Sequence, residues 1–203
     1  MWQTSTDLWP DSSVAPTLYG LGETMTAWAH RALAGAGRGR LIVVGCSIGA
    51  SCALEMARIA AARIDALVLV GGKAGVRYEP SARERYVALL RDRGVDAMWD
   101  EIRGPVGAVA RRLARDQTVD DLARGVRAFH TRPDAATVLR DFDGPVHIVH
   151  GALDGVGAAG RAAAMAASTR DGHAHLVEGA GHYVNLDRPE AFNELLVPLM
   201  RDG

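Results

Sequence analysis

Residues 41–49 read Leu41-Ile42-Val43-Val44-Gly45-Cys46-Ser47-Ile48-Gly49, and a segment of helical spacing follows from Ala50 to Ala62. The unbroken apolar run is a strand. Ile48, Cys52, Met56 and Ile59 then recur every three or four residues, the period of a helix with one buried face. A strand that bends into a helix through Gly-x-Ser-x-Gly is a nucleophile elbow. Its glycines remove side chains where the chain folds back, and its serine projects from the turn. The five-residue string alone is a weak signal, and a tight turn without chemistry produces it too. The strand before it and the helix after it are the context the motif requires.

Two later segments repeat the arrangement of an apolar run followed by a polar residue beyond its end. Val146-His147-Ile148-Val149 leads into His150-Gly151-Ala152-Leu153-Asp154, and Ala174-His175-Leu176-Val177 leads into Gly179-Ala180-Gly181-His182. Open parallel α/β sheets carry their sites at that end of the strands. A serine, an acid and a histidine there are the parts of a nucleophile, its base and the group that orients the base. Ser47, Asp154 and His182 are therefore the candidate catalytic residues. His150 and Tyr183 flank them and read as packing or hydrogen-bonding residues, while Asp187 reads as a helix-start acid.

The order Ser47, Asp154, His182, together with Gly181-His182-Tyr183-Val184-Asn185-Leu186-Asp187-Arg188-Pro189-Glu190, resembles the α/β-hydrolase superfamily. Within it, the likeness is to the capped esterase, lactonase and carbon–carbon-bond hydrolase group, and it runs from about Leu18 to the C-terminus. The resemblance implies a parallel sheet flanked by helices, with a helical cap inserted into it. It also implies a serine hydrolase acting on a small ester, lactone or related carbonyl substrate. The backbone N–H of Ile48 would be one oxyanion donor. The family's first central strand, which ends in a His-Gly turn carrying the second donor, has no room in this chain. If Asp7-Leu8-Trp9 matches the family's aromatic anchor, that donor would be the N–H of Trp2. A fragment, a shortened pairing of the first residues, or direct closure of the flanking strands would each account for the gap.

Composition narrows the classes further. A chain of 203 residues fits one domain, or one domain with an insertion. Net charge is −1, and the basic residues are 22 arginines and a single lysine, Lys73, so no footprint for nucleic acid or an anionic membrane is expected. The seven histidines do not pair with cysteines or carboxylates at ligand spacing, so neither metal nor cofactor is expected. Cys46 and Cys52 read as small buried residues rather than a bridge. With no run of 18 apolar residues and no basic-then-apolar leader, the expected location is cytoplasmic.

Along the chain, strands are expected at about Thr17–Tyr19, Leu41–Val44, Ala66–Val70, Val146–Val149 and Ala174–Val177, all covered on both faces. Met25, Trp28, Ala29 and Ala32 mark one further helix. Phe192, Leu195, Leu196 and Leu199 mark another, opening at Arg188-Pro189-Glu190. From Gly72 to Gly144 there are 73 residues, more than a strand–helix–strand link needs. Helical stretches near Ser81–Arg93, Val106–Asp116 and Val119–Phe129 fill them. The expected division is a hydrolase core of residues 1–72 and 145–203 with a cap over residues 73–144. The other reading of that insertion is a pair of ordinary surface helices and a loop. Two readings of function from outside hydrolysis also remain: a non-catalytic binding protein on the same fold, and a lyase or acyltransferase using the same three residues.

Overall fold

Leu41 to Cys46 forms the first strand, β1, and the helix α2 begins two residues later at Ile48 and runs to Ala60. The computed structural model describes residues 11–75, 80–103, 108–155 and 158–201. Preceding β1 are a 3-10 helix over Leu18–Leu21 and helix α1 over Met25–Gly35. Following α2 come β2 (Ile64–Val70), α3 (Pro80–Arg103), α4 (Ala108–Arg115), α5 (Val119–His130) and α6 (Ala136–Asp141). The chain closes with β3 (Val146–Gly151), α7 (Ala158–Ala167), β4 (Gly172–Val177), α8 (Val184–Asp187) and α9 (Pro189–Arg201).

Among the described residues the sheet has four strands in the order β1-β2-β3-β4, and every pairing is parallel. The register aligns Cys46 with Val70, Val70 with Val149, and Val149 with His175. All four strands therefore end at one rim, and the loops that leave it start side by side. Two apolar layers hold the sheet. On one side Val146 and Ile148 pack with Leu54, Trp28 and Ala162 from the surrounding helices; on the other Val68, Val70, Val149 and Val177 pack with Phe192 and Leu196 of α9. Burying that apolar surface at about 25 cal/mol per Å² is the main force seating the helices on the sheet.

Four of the five expected strands are present, each a little longer than its apolar run. The stretch Thr17–Tyr19 is not a strand. It enters the 3-10 helix, where the Tyr19 ring meets Trp28 edge-on at 5.9 Å and lies against Gly125 of α5, where any β-carbon would fall 2.5 Å from its Cε1. Closure of β1 onto a strand at Thr17–Tyr19 is thereby excluded. β4 also departs from the expectation of two covered faces. It is an edge strand, with His173, Ala174 and Leu176 exposed.

Helices α3 to α6 fill the long connection from β2 to β3. Val87, Leu90, Met98, Leu122 and Ala123 form a small core of their own between α3 and α5. Leu139 of α6, by contrast, joins the main core with Phe142. α3 extends past its expected end at Arg93 and bends at Gly94, whose φ of 83° only glycine adopts without strain. Pro189 opens α9 and Glu190 sits in its first turn, as the dipole argument requires. Cys46 and Cys52 are buried and are not joined in a disulfide, and burial pushes the Cys52 thiol up to about 12. No described helix is long and apolar enough to cross a membrane.

Candidate active site

Ser47 occupies the bend between β1 and α2 with φ 55° and ψ −113°, the only non-glycine residue at positive φ among those described. Such a conformation costs on the order of 1–3 kcal/mol and persists only where the surroundings enforce it. Two features enforce it here. The Ser47 N–H donates to the Val70 carbonyl at 2.8 Å, tying the bend to the end of β2. Gly45 lies so close beneath α2 that a β-carbon there would fall 2.3 Å from the Gly49 carbonyl oxygen. Gly49 itself has open space among the described residues, so the close approach is made by its backbone and its own side-chain position is free.

Three side chains from three loops meet at this rim. The Ser47 hydroxyl donates to His182 Nε2 at 2.8 Å, and His182 Nδ1–H donates to Asp154 Oδ2 at 2.9 Å in the tautomer that keeps its proton on Nδ1. The side chains of His182 and Asp154 are 11% and 15% exposed, enough for a substrate to reach them and little enough to hold their orientation. The geometry thus joins three residues that the sequence spreads over 135 positions.

The loops carrying Asp154 and His182 are pressed together. Leu153 N–H donates to the Ala180 carbonyl at 2.9 Å, and Ala152 N–H donates to that of Val177 at 3.0 Å. Gly151 permits this, because a β-carbon on it would sit 2.1 Å from the Gly181 carbonyl oxygen. Asp187 accepts the Gly181 N–H at 2.9 Å, so the acid read as a helix starter braces the His182 loop instead. On the far side Gly71, at φ 59°, backs the imidazole: a β-carbon there would lie 3.1 Å from His182 Cε1. Tyr183 sets its ring edge-on to His182 at 4.9 Å. The guanidinium of Arg161 in α7 donates to the Asp154 carbonyl at 2.8 Å. Gly71 and Gly151 escaped the sequence reading; a glycine at the end of each apolar run was their only signal.

Ile48 is the first residue of α2, where a backbone N–H has no acceptor within its own helix. Trp2, expected as its counterpart, lies outside the described residues. Among the described residues no group of three or more His, Cys, Asp or Glu side chains is arranged to hold a metal ion. The histidines that face one another across β3 and β4 are no exception. His147 Nδ1 and His175 Nε2 face each other at 3.0 Å with the rings 14° from parallel and their centroids 5.2 Å apart. That places the rings edge to edge in nearly one plane, the geometry of a hydrogen bond between them.

The sequence pattern of the alpha/beta hydrolase family matches residues 4–195. The chain belongs to that family. Family membership supports a hydrolase activity, whereas the similar solved structures are distant in sequence and speak to the fold. A thermophilic esterase from Thermogutta terrifontis superposes with a TM-score of 0.77 at 20% identity, covering 94% of this chain and 75% of that one. The enol-lactonase of Burkholderia xenovorans LB400 gives 0.73 at 19% identity, over 92% of this chain and 75% of the other. A hydrolase from Pseudomonas aeruginosa PA01 gives 0.71 at 24% identity, over 93% and 74%. A comparison with curated proteins finds no match.

Proposed function

We propose that this alpha/beta hydrolase is a serine hydrolase that cleaves a small ester, lactone or related carbonyl substrate, with Ser47 as nucleophile, His182 as general base and Asp154 as its orienting acid. The observation that carries the reading is the unbroken chain of hydrogen bonds Ser47–His182–Asp154 at 2.8 and 2.9 Å. The esterase and enol-lactonase among the similar folds suggest the substrate class.

The chemistry follows from the positions. As Ser47 Oγ attacks the carbonyl carbon, His182 Nε2 takes its proton, and Asp154 stabilises the imidazolium that forms. The carbonyl oxygen becomes an oxyanion, which the N–H of Ile48 at the positive end of α2 is placed to receive. Collapse breaks the carbon–oxygen bond of the ester; His182 gives its proton to the departing alkoxide and leaves an acyl-Ser47. Water then attacks the acyl group, delivering its proton to the same imidazole; collapse breaks the bond between the acyl carbon and Ser47 Oγ, His182 returns the proton to that oxygen, and the acid leaves. Helices α3 and α5, with the small core between them, act together with α4 in this reading as the cap over residues 73–144, set on a core of residues 1–72 and 145–203.

An organophosphonate ester that phosphonylates activated serines tests the proposal. It is expected to add one adduct to wild-type protein, mapped to Ser47, and none to Ser47→Ala. A folded wild-type protein that stays unmodified would overturn the assignment. Turnover in ¹⁸O-labelled water separates hydrolysis, which puts the label in the acid, from acyl transfer to another acceptor, which does not.

A further inference from the structure

β3 turns Val146 and Ile148 toward the main core, and His150 follows them two residues on. Its side chain is 1% exposed, and neither ring nitrogen has a hydrogen-bond partner among the described residues. Buried polar atoms are seldom left so, because an unmade hydrogen bond costs free energy that an apolar residue would not. His150 Nδ1 lies 3.7 Å from Asp154 Oδ2, the oxygen that also receives His182 Nδ1–H.

We propose that His150 is a positioning residue for the triad acid: its Nδ1–H is a second donor aimed at Asp154 Oδ2, holding that carboxylate on His182. The inference rests on the hydrolase reading above. At 3.7 Å the contact is too long for a hydrogen bond. Catalytic hydrogen bonds are commonly long in the unliganded site and tighten in the reacting complex, and an approach of under about 1 Å closes this one. A carboxylate oxygen has lone pairs for both donors. The titratable and charged groups gathered there, among the described residues, are Asp154 and His150 from β3 and its loop, His182 beyond β4, Arg161 from α7 through its bond to the Asp154 carbonyl, and Asp187 behind Gly181.

A second donor on Asp154 draws off charge that would otherwise stabilise the His182 imidazolium. Removing it leaves a more basic carboxylate, so His182 gives up its proton at higher pH, and the carboxylate is freer to rotate. His150→Phe keeps a ring and loses the donor; His150→Asn loses the ring and keeps an N–H near the Nδ1 position. His150→Phe is expected to lower kcat on the order of tenfold with little change in KM, less than the hundredfold typical of a 1 Å misplacement. It should also move the acid limb of the rate profile up by about half a pH unit. His150→Asn should stay within about twofold of wild type on both measures.

Two arms do not need turnover. The downfield proton resonance of His182 Nδ1–H, followed through pH, should titrate higher in His150→Phe and not in His150→Asn. ¹⁵N-histidine spectra of the wild-type protein should show His150 protonated at Nδ1. A wild-type His150 carrying its proton only on Nε2 would overturn the proposal even if no variant folds. So would a His150→Phe protein with unshifted titration and undiminished kcat, or a His150→Asn protein as impaired as His150→Phe. Failure of wild type to react with the organophosphonate counts against the hydrolase reading, while the spectra still decide the role of His150.

Discussion

Replacing Gly151 by alanine puts a methyl group into the seam between the loops of Asp154 and His182. Its β-carbon would begin 2.1 Å from the Gly181 carbonyl oxygen and 2.3 Å from that of Ala180, where ordinary contact starts at 3.4 Å. Both obstacles are backbone, so no side-chain rotation relieves them. The His182 loop must retreat by roughly 1 Å, and a displacement of that size between reacting groups costs about 10²-fold in rate. The bond from Leu153 N–H to the Ala180 carbonyl stretches with it, and overpacking of this kind destabilises by about 1–3 kcal/mol. Urea unfolding would read the stability, and the second-order rate of Ser47 modification by an organophosphonate would read the alignment. Gly160→Ala is the control. That glycine is exposed within α7, a β-carbon on it would meet nothing within 4 Å among the described residues, and the change should stabilise by about 0.5–1 kcal/mol without touching reactivity. A Gly151→Ala protein that unfolds at the wild-type midpoint and reacts at the wild-type rate would refute the claim that loop contact sets the triad geometry.

Three further outcomes are expected. Ser47→Gly should abolish labelling yet raise stability by about 1 kcal/mol, because glycine adopts φ 55° without strain; a loss of stability would show that the bend is relaxed. His147 is pushed down to about 4 by burial and then by His173 and His175, so the folded state resists a proton that the unfolded chain accepts near 6.5. Its stabilisation is whole above pH 6.5 and is lost as pH falls toward 4. For a half-buried ring screened by solvent this is about 1 kcal/mol, and the wild-type protein should lose that much more than His147→Val over the same window. Identical pH dependence in the two proteins would remove the claim. Leu90→Ala, in the small core between α3 and α5, should cost about 2–5 kcal/mol in that unit and expose α3 to proteolysis before the sheet; uniform cleavage would argue against a separate core.

Much of this architecture was legible in the order of residues. The elbow was, because a strand, a tight bend and a helix are local events specified within twenty positions. The start of α9 was too, since Pro189 and Glu190 act within a single turn. Thr17–Tyr19 was not, because a stretch of three residues fits a strand or a turn equally well, and the packing of Tyr19 on Trp28 and Gly125 decided between them. Nor was the edge position of β4: an apolar run shows that a strand forms, not what covers it.

The chemistry divides along the same line. Residue order alone was enough to nominate Ser47, Asp154 and His182, since each follows an apolar run at the end where such sheets open. Folding supplied the distances between them, and with those came partners that carry no motif: Gly71 behind the imidazole, Gly151 in the seam, Asp187 bracing Gly181, and His150 beside the acid. Local propensity acts over a few residues, so it can be read in one dimension. Contact across the rim of a parallel sheet depends on strand register, and register is settled only when the whole apolar layer closes at once.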